Sequence, residues 1–296
     1  MQIGIDVGGT KIEGVLLDPS GIEILRERSP TPKEHGYSAI ISEVVALVKK
    51  LEHVAEAECT VGIGTPGTII MNKGVLKNSN TTCLINQPIV ADLEQSLGRS
   101  IRIENDANCF TISEAIDGAG YGFETVFGVI MGTGVGGGLV NHNTLLRGRL
   151  HIAGEWGHNV LEAGGPPCYC GNNGCVETFL SGPGFENDYL KRGGLLGTSA
   201  SQIVDLAKNG DGVAEESMQA LLERFGKALA TVINIFDPHV IVLGGGLSKI
   251  EQLYSQGANE VAKNVFWENF DTPILRNKNG DSAGVRGAAQ LWSSSQ

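Results

Sequence analysis

At 296 residues the chain has room for one large or two medium domains with a substantial core. Its formal charge of −11 argues against a nucleic-acid or anionic-membrane partner, since either would favour a basic face. It opens directly on Met-Gln-Ile-Gly-Ile-Asp, with neither a basic leader nor a long apolar run, so a cytoplasmic location is the expectation.

Ile3 to Val7 reads as a buried strand, broken by Gly8-Gly9-Thr10, and Ile12 to Leu17 reads as its return. Asp18-Pro19-Ser20-Gly21 is a second turn, and Ile22 to Arg28 a third strand. From Ser38 the apolar residues Ile41, Val44, Val45, Val48 and Leu51 recur at helical spacing. Val61 to Ile63 is a strand ending in Gly64-Thr65-Pro66-Gly67, and Ile101 to Ile103 another, opening into Asn105-Asp106-Ala107-Asn108 and a helix to about Asp117.

Then the opening theme returns. Val126 to Met131 is a strand, Gly132 to Gly138 a glycine turn, and Leu139-Val140 the start of a returning strand. Two copies of one pattern predict an internally duplicated α/β protein with two lobes. A long helix from about Ala214 to Phe236 carries the stripe Met218, Leu222, Phe225, Leu229, Val232, Ile233 and Phe236, which reads as core or subunit contact, and Asp237-Pro238 stops it. Val240 to Leu243 is an apolar strand closing on Gly244-Gly245-Gly246. The lobe boundary is expected near Gly118-Ala119-Gly120: 1–117 form a small lobe, completed by a C-terminal helix over 284–296, and 118–283 a large one.

The 42 glycines, about 14% of the chain, are roughly twice the ordinary share, and they cluster after the short apolar runs. Backbone N–H groups cradle a phosphate only where no Cβ blocks its approach. The first glycine turn lacks the Gly-Lys-Ser/Thr ending of a P-loop and leads into a strand, so it is not a dinucleotide fingerprint either. Alone it reads equally as a tight hairpin; with the turns at 132–138 and 244–246 it reads as part of a nucleotide triphosphate site. Asp6 suits a magnesium-linked carboxylate, directly or through water, and Lys11 a point charge for phosphates or simply an exposed lysine.

Asp106, between a strand and a helix, has two readings, helix cap or catalytic base. Phosphoryl transfer to an alcohol needs a carboxylate to accept the hydroxyl proton, and Asn105 could fix the same hydroxyl. Cys168, Cys170 and Cys175, with His158 upstream, make a complete tetrahedral set for zinc. A disulfide or a chance cluster is the competing reading, and a reducing compartment favours the metal. With every ligand a protein side chain, that metal is structural. Glu155 and Glu177 flank the loop and read either as acceptors for vicinal sugar hydroxyls or as solvated charges, while His158 could reach sugar through its second nitrogen. Cys59, Cys83 and Cys109 read as core thiols.

These motifs, in this order and along essentially the whole chain to Gly280-Asp281-Ser282-Ala283-Gly284-Val285-Arg286-Gly287, resemble the ROK family of sugar kinases. The resemblance implies two ribonuclease-H-like lobes of the actin, Hsp70 and hexokinase group around an active-site cleft. It implies ATP with Mg2+, and structural Zn2+ on His158, Cys168, Cys170 and Cys175. Asp106 becomes the catalytic base, and Gly67, Asn80, Asn105, Asp106, Glu155, His158 and Glu177 the sugar contacts. The nucleotide contacts fall on Gly4, Ile5, Asp6, Val7, Gly8, Gly9, Thr10 and Lys11, on Gly132, Thr133, Gly134, Val135, Gly136, Gly137, Gly138, Leu139 and Val140, and on Gly244, Gly245 and Gly246. Pro30-Thr31-Pro32, Lys77 to Thr82, Glu155 to Asn159 and Cys168-Tyr169-Cys170-Gly171 carry a closer likeness to bacterial fructokinases of the manno-fructokinase type. The expectation is therefore an ATP-dependent kinase making fructose 6-phosphate, with N-acetylglucosamine, glucose or mannose as alternative substrates. A catalytically silent sugar sensor is the alternative from another class, and a homodimer the expected assembly.

Overall fold

The computed structural model describes residues 1–70, 74–77 and 81–293. Asn80, one of the expected sugar contacts, and its neighbours Asn78 and Ser79 lie outside the described residues. The chain divides into two compact units, Met1–Gly122 with Gly138–Ala153 and Asn279–Gln296, and Phe123–Gly137 with Gly154–Lys278.

In the first unit β1 (Gln2–Val7), β2 (Lys11–Leu17) and β3 (Glu23–Pro30) form an antiparallel meander. β4 (Thr60–Thr65) joins β1 in parallel; after the short hairpin β5 (Thr68–Ile70) and β6 (Val75–Lys77), β7 (Arg102–Asn105) joins β4 in parallel. The sheet order is β3-β2-β1-β4-β7. α1 (Tyr37–Ala55) buries Ile40, Ile41, Val44, Leu47, Val48 and Leu51, a helical stripe that packs with Ile3, Ile5, Val61 and Ile63. α2 (Ile89–Leu97) adds Ile89 and Leu93 to that core, and α3 (Asp106–Ile116) follows β7 directly.

The C-terminal helix, Ala283–Gln290, lies against β1 and β4 through glycines. A Cβ on Gly4 would run into the Val285 carbonyl, and one on Gly62 into the Ala288 carbonyl. Gly4 is therefore fixed by helix-on-sheet packing, and Ile5 and Val7 are fully buried core residues. Of the expected nucleotide contacts, Gly4, Ile5 and Val7 are thus covered by neighbouring protein.

The second sheet repeats the first. β8 (Thr125–Met131), β9 (Val135–Asn141), β10 (Thr144–Leu145), β11 (Val240–Gly244) and β12 (Ile274–Arg276) lie in the order β10-β9-β8-β11-β12. β10 runs antiparallel to β9, while β11 is parallel to both β8 and β12. Between β10 and β11 come the cysteine loop and α4 (Glu177–Leu180), α5 (Gly182–Lys191), α6 (Ala200–Lys208) and α7 (Gly212–Phe236), with α8 (Gln256–Asn264) after β11. α7 stops at Asp237, whose φ of 48° is left-handed, immediately before Pro238.

Two differences from the sequence reading have physical causes. Residues 118–122 and 138–153 group with the first unit rather than with 154–278. Within that segment Arg147 ion-pairs with Glu104, and Gly138 lets β9 approach Thr111 of α3. The second glycine run is also shorter as a turn than expected, because β9 begins at Val135 and takes in Gly136, Gly137, Gly138, Leu139 and Val140. Val140, another expected nucleotide contact, is likewise fully buried. Among the described residues no helix is long and apolar enough to cross a membrane.

Candidate active site and metal centre

In the first unit β1, β4 and β7 are parallel neighbours, so Asp6 at the end of β1 and Asp106 just after β7 occupy the same strand edge. The carboxyl ends of parallel strands are where such sheets bind ligands. The side chain of Asn105 accepts the Asn108 N–H at 2.7 Å and so caps α3. Asp106 is thereby relieved of capping; it is the first helical residue, and its Oδ1 accepts the Ala107 N–H at 2.9 Å. The Asp6 carboxyl is pushed up to about 7, first by burial, then by the charges of Asp106 and Glu13, with Lys11 opposing. Mutually repelling carboxyls at one edge favour a retained proton or a bound cation, and hard carboxylate oxygens fit Mg2+.

The first glycine turn closes when the Gly8 N–H donates to the Lys11 carbonyl at 2.9 Å, where a Cβ on Gly8 would also fall. Thr31 staples it from outside: its hydroxyl donates to the Gly8 carbonyl at 2.6 Å and its N–H to the Thr10 carbonyl at 3.0 Å. Lys11 is not a bare point charge, since its Nζ lies 2.8 Å from Glu13 Oε2. Glu13 is only 1% exposed and also pairs with Arg26 and Arg28. Burial alone would raise this carboxyl, yet hydrogen bonds from Arg28, Lys11 and Arg26 pull it down to about 2. Gly67 has a left-handed φ of 98°, so backbone conformation explains it without a ligand.

In the second unit the turn between β8 and β9 closes through the Gly132 N–H, which donates to the Gly134 carbonyl at 2.9 Å. Gly245, with φ 79°, lies so near that an added Cβ would sit 2.5 Å from the Met131 carbonyl oxygen. Gly132 and Gly246 have neither left-handed φ nor any atom within 4 Å of an added Cβ, so neither backbone nor packing demands glycine there. Glu155 is half-buried, immediately before the 3-10 turn Trp156–His158. Glu177 opens α4, and its Oε2 accepts the Val135 N–H at 2.9 Å.

The ligand atoms of His158, Cys168, Cys170 and Cys175 all lie within 4.8 Å of one another. Cys170 Sγ is 3.6 Å from Cys175 Sγ, and Cys168 Sγ is 3.5 Å from His158 Nδ1. Thiolates about 2.3 Å from a tetrahedral zinc lie roughly 3.8 Å apart, so the set fits the ion and is not a disulfide. His158 presents Nδ1 to the cysteines and its Nε2 lies 3.0 Å from the Tyr169 hydroxyl. The ring nitrogen expected to reach sugar thus has the Tyr169 hydroxyl as its partner here.

Glu13, Thr31 and Trp156 were not singled out from the sequence. A charged residue within the buried run Ile12 to Leu17 of β2, and a threonine held between two prolines, are signals that point to the first two.

Comparison with known proteins bears on the family and the fold. The profile described as the ROK family matches residues 2–295. The chain is 38% identical over 303 residues to an N-acetyl-D-glucosamine kinase of Haemophilus influenzae, covering 99% of each. A ROK hexokinase structure from Thermus thermophilus superposes with a TM-score of 0.87 at 32% identity, over 98% of this chain and 97% of that one. A ROK-family glucokinase from Streptomyces griseus, in complex with glucose and AMPPNP, superposes with a TM-score of 0.78 at 28% identity, over 98% of both chains.

Proposed function

The chain belongs to the ROK family of sugar kinases, and from that premise we propose that it transfers the γ-phosphoryl group of ATP to the 6-hydroxyl of N-acetyl-D-glucosamine. The observation that supports the chemistry best is the division of labour at the start of α3: Asn105 is the N-cap, and the Asp106 carboxyl, one oxygen on the Ala107 N–H, lies close enough to Asp6 to raise its pKa. Asp106 takes the proton of the attacking hydroxyl as its oxygen closes on the γ-phosphorus in line. The Asn105 amide nitrogen, its oxygen engaged by Asn108, would fix the same hydroxyl. Asp6 would hold Mg2+, which when bound neutralises charge on the phosphates. Lys11, aimed by Glu13, adds a cation at the first glycine turn, and the turns at Gly132–Gly134 and Gly244–Gly246 offer backbone N–H groups to phosphate oxygens. Glu155 and the second oxygen of Glu177 serve as acceptors for sugar hydroxyls. Zn2+ on His158, Cys168, Cys170 and Cys175 would fasten the loop between them.

The sequence motifs alone favoured fructose; near full-length similarity to N-acetyl-D-glucosamine kinases moves that sugar first. Fructose stays as the second reading on the Pro30-Thr31-Pro32 and Cys168-Tyr169-Cys170-Gly171 likeness. A competition assay with both sugars at equal concentration and limiting ATP decides between them. Accumulation of N-acetylglucosamine 6-phosphate supports the first reading, and fructose 6-phosphate the second. No ATP consumption with any hexose returns the chain to the sensor class.

A further inference from the structure

The metal loop is bracketed by two short segments, and both grip the second glycine turn. From upstream, Trp156 Nε1–H donates to the Gly136 carbonyl at 3.1 Å, and Gly157 lies so close that a Cβ there would overlap the Val135 carbonyl. From downstream, Glu177 Oε2 accepts the Val135 N–H at 2.9 Å, and the Gly182 N–H donates to the Gly132 carbonyl at 2.8 Å. Val135 is thus held at its amide from one flank and against its carbonyl from the other. The grip explains two glycines. An added Cβ at Gly134 would lie 2.7 Å from Glu177 Oε2, and one at Gly137 2.6 Å from the Trp156 ring. Trp156 is itself buried and meets Phe127 of β8 edge-on, with ring centroids 5.5 Å apart. The flanks are tied together where the Val176 N–H donates to the Asn159 carbonyl at 2.9 Å, beside the four metal-ligating side chains.

We propose that the metal loop is a buckle on the nucleotide-binding turn. Trp156 and Glu177 are its positioning residues, and metal occupancy sets affinity for the nucleotide as well as for sugar. The inference rests on the reading of Gly132–Gly134 as a phosphate cradle, with Val135 holding its end. A run of glycines has wide backbone freedom, and ordering it on binding would cost affinity. Contacts that hold these N–H and C=O groups beforehand remove that cost. The contacts reach the turn from both sides of the metal loop; backbone bonds from Val176 to Asn159 and from Leu161 and Glu162 to Gly174 also join its two ends, so loss of the metal would loosen both flanks together rather than unfold them.

The test uses full-length protein in three forms: metal-loaded wild type, metal-loaded Trp156→Phe, and wild type stripped by chelator. Phenylalanine keeps a ring against Phe127 but has no N–H for Gly136. AMP-PNP and N-acetylglucosamine affinities are measured by calorimetry, and amide exchange is followed in β1, β2 and residues 132–137. The expected result is an AMP-PNP Kd raised about fivefold in Trp156→Phe, with hexose affinity unchanged. Stripped protein should lose at least as much AMP-PNP affinity, with faster exchange at 132–137 and unchanged exchange in β1 and β2. Wild-type AMP-PNP affinity in both altered forms overturns the buckle. Exchange protection lost throughout the second unit also overturns it, since the metal would then hold a fold rather than a turn. Wild-type protein that binds no AMP-PNP overturns the nucleotide reading of the turn itself.

Discussion

The two glycine turns occupy the same place in two sheets of the same strand order, yet they are held by different means. The first is closed by residues close in the chain: Thr31 bonds to Gly8 and Thr10, and Glu13 gathers Lys11, Arg26 and Arg28. The second is closed by Trp156, Gly157, Glu177 and Gly182, brought back from either side of a metal loop. A duplicated backbone therefore does not duplicate its supports. A hairpin with a neighbouring third strand can staple its own turn, whereas the second turn depends on segments that return to it from either side of the His158–Cys175 loop.

The sharpest control on this contrast leaves both turns untouched. Asp106→Asn keeps size and much of the hydrogen-bonding shape, so turnover should fall at least ~100-fold with AMP-PNP and sugar affinities preserved. Near-wild-type kcat in a steady-state assay would remove Asp106 from the chemistry. Next in size is the metal. Purified protein should carry about one zinc per chain by elemental analysis, and Cys170→Ala should lose it together with roughly tenfold in hexose affinity. Zinc-free fresh protein with full hexose affinity would leave the second turn with no special support.

Thr31→Val breaks the first turn alone. Removing the hydroxyl that serves the Gly8 carbonyl should raise KM for ATP about fivefold, with zinc content unchanged. An unchanged KM for ATP would show that the hairpin needs no staple. The smallest effect is one of stability. Asp6 has its folded pKa raised to about 7, so the native state keeps a proton that the unfolded chain releases. Unfolding free energy therefore falls as pH rises from about 4 to about 7, and is flat above. Asp6→Asn removes the titration, so without nucleotide its Tm should exceed wild type by a few degrees at pH 8 and converge with it near pH 4. Equal Tm differences at both pH values would refute the raised pKa.

Much of the architecture was legible because it is written in short-range pattern. Alternation and apolar runs located β1, β2, β8 and β11, helical spacing located α1 and α7, and the repeated strand–turn–strand predicted two like sheets. The ends of the glycine run were less legible. Gly136, Gly137 and Gly138 look like turn residues but are strand residues, and the missing side chains of Gly137 and Gly138 make room for Trp156 and Thr111. Likewise Gly4 looks like part of a phosphate turn and is a seat for the C-terminal helix.

By itself the sequence determined that Cys168, Cys170 and Cys175 would gather, since they are close enough along the chain for loop geometry to bring them together, and it marked Asp106 at the strand–helix junction. Tertiary structure alone decided which of Asn105 and Asp106 caps α3, that Glu13 aims Lys11, that Tyr169 takes the outer nitrogen of His158, and that Glu177 reaches Val135. The reason is one of distance and register. A motif reports what neighbours along the chain can do together; a hydrogen bond depends on which atoms end up about 3 Å apart. For Glu177 and Val135 the intervening loop must first be folded, and no local pattern in either segment records where it returns.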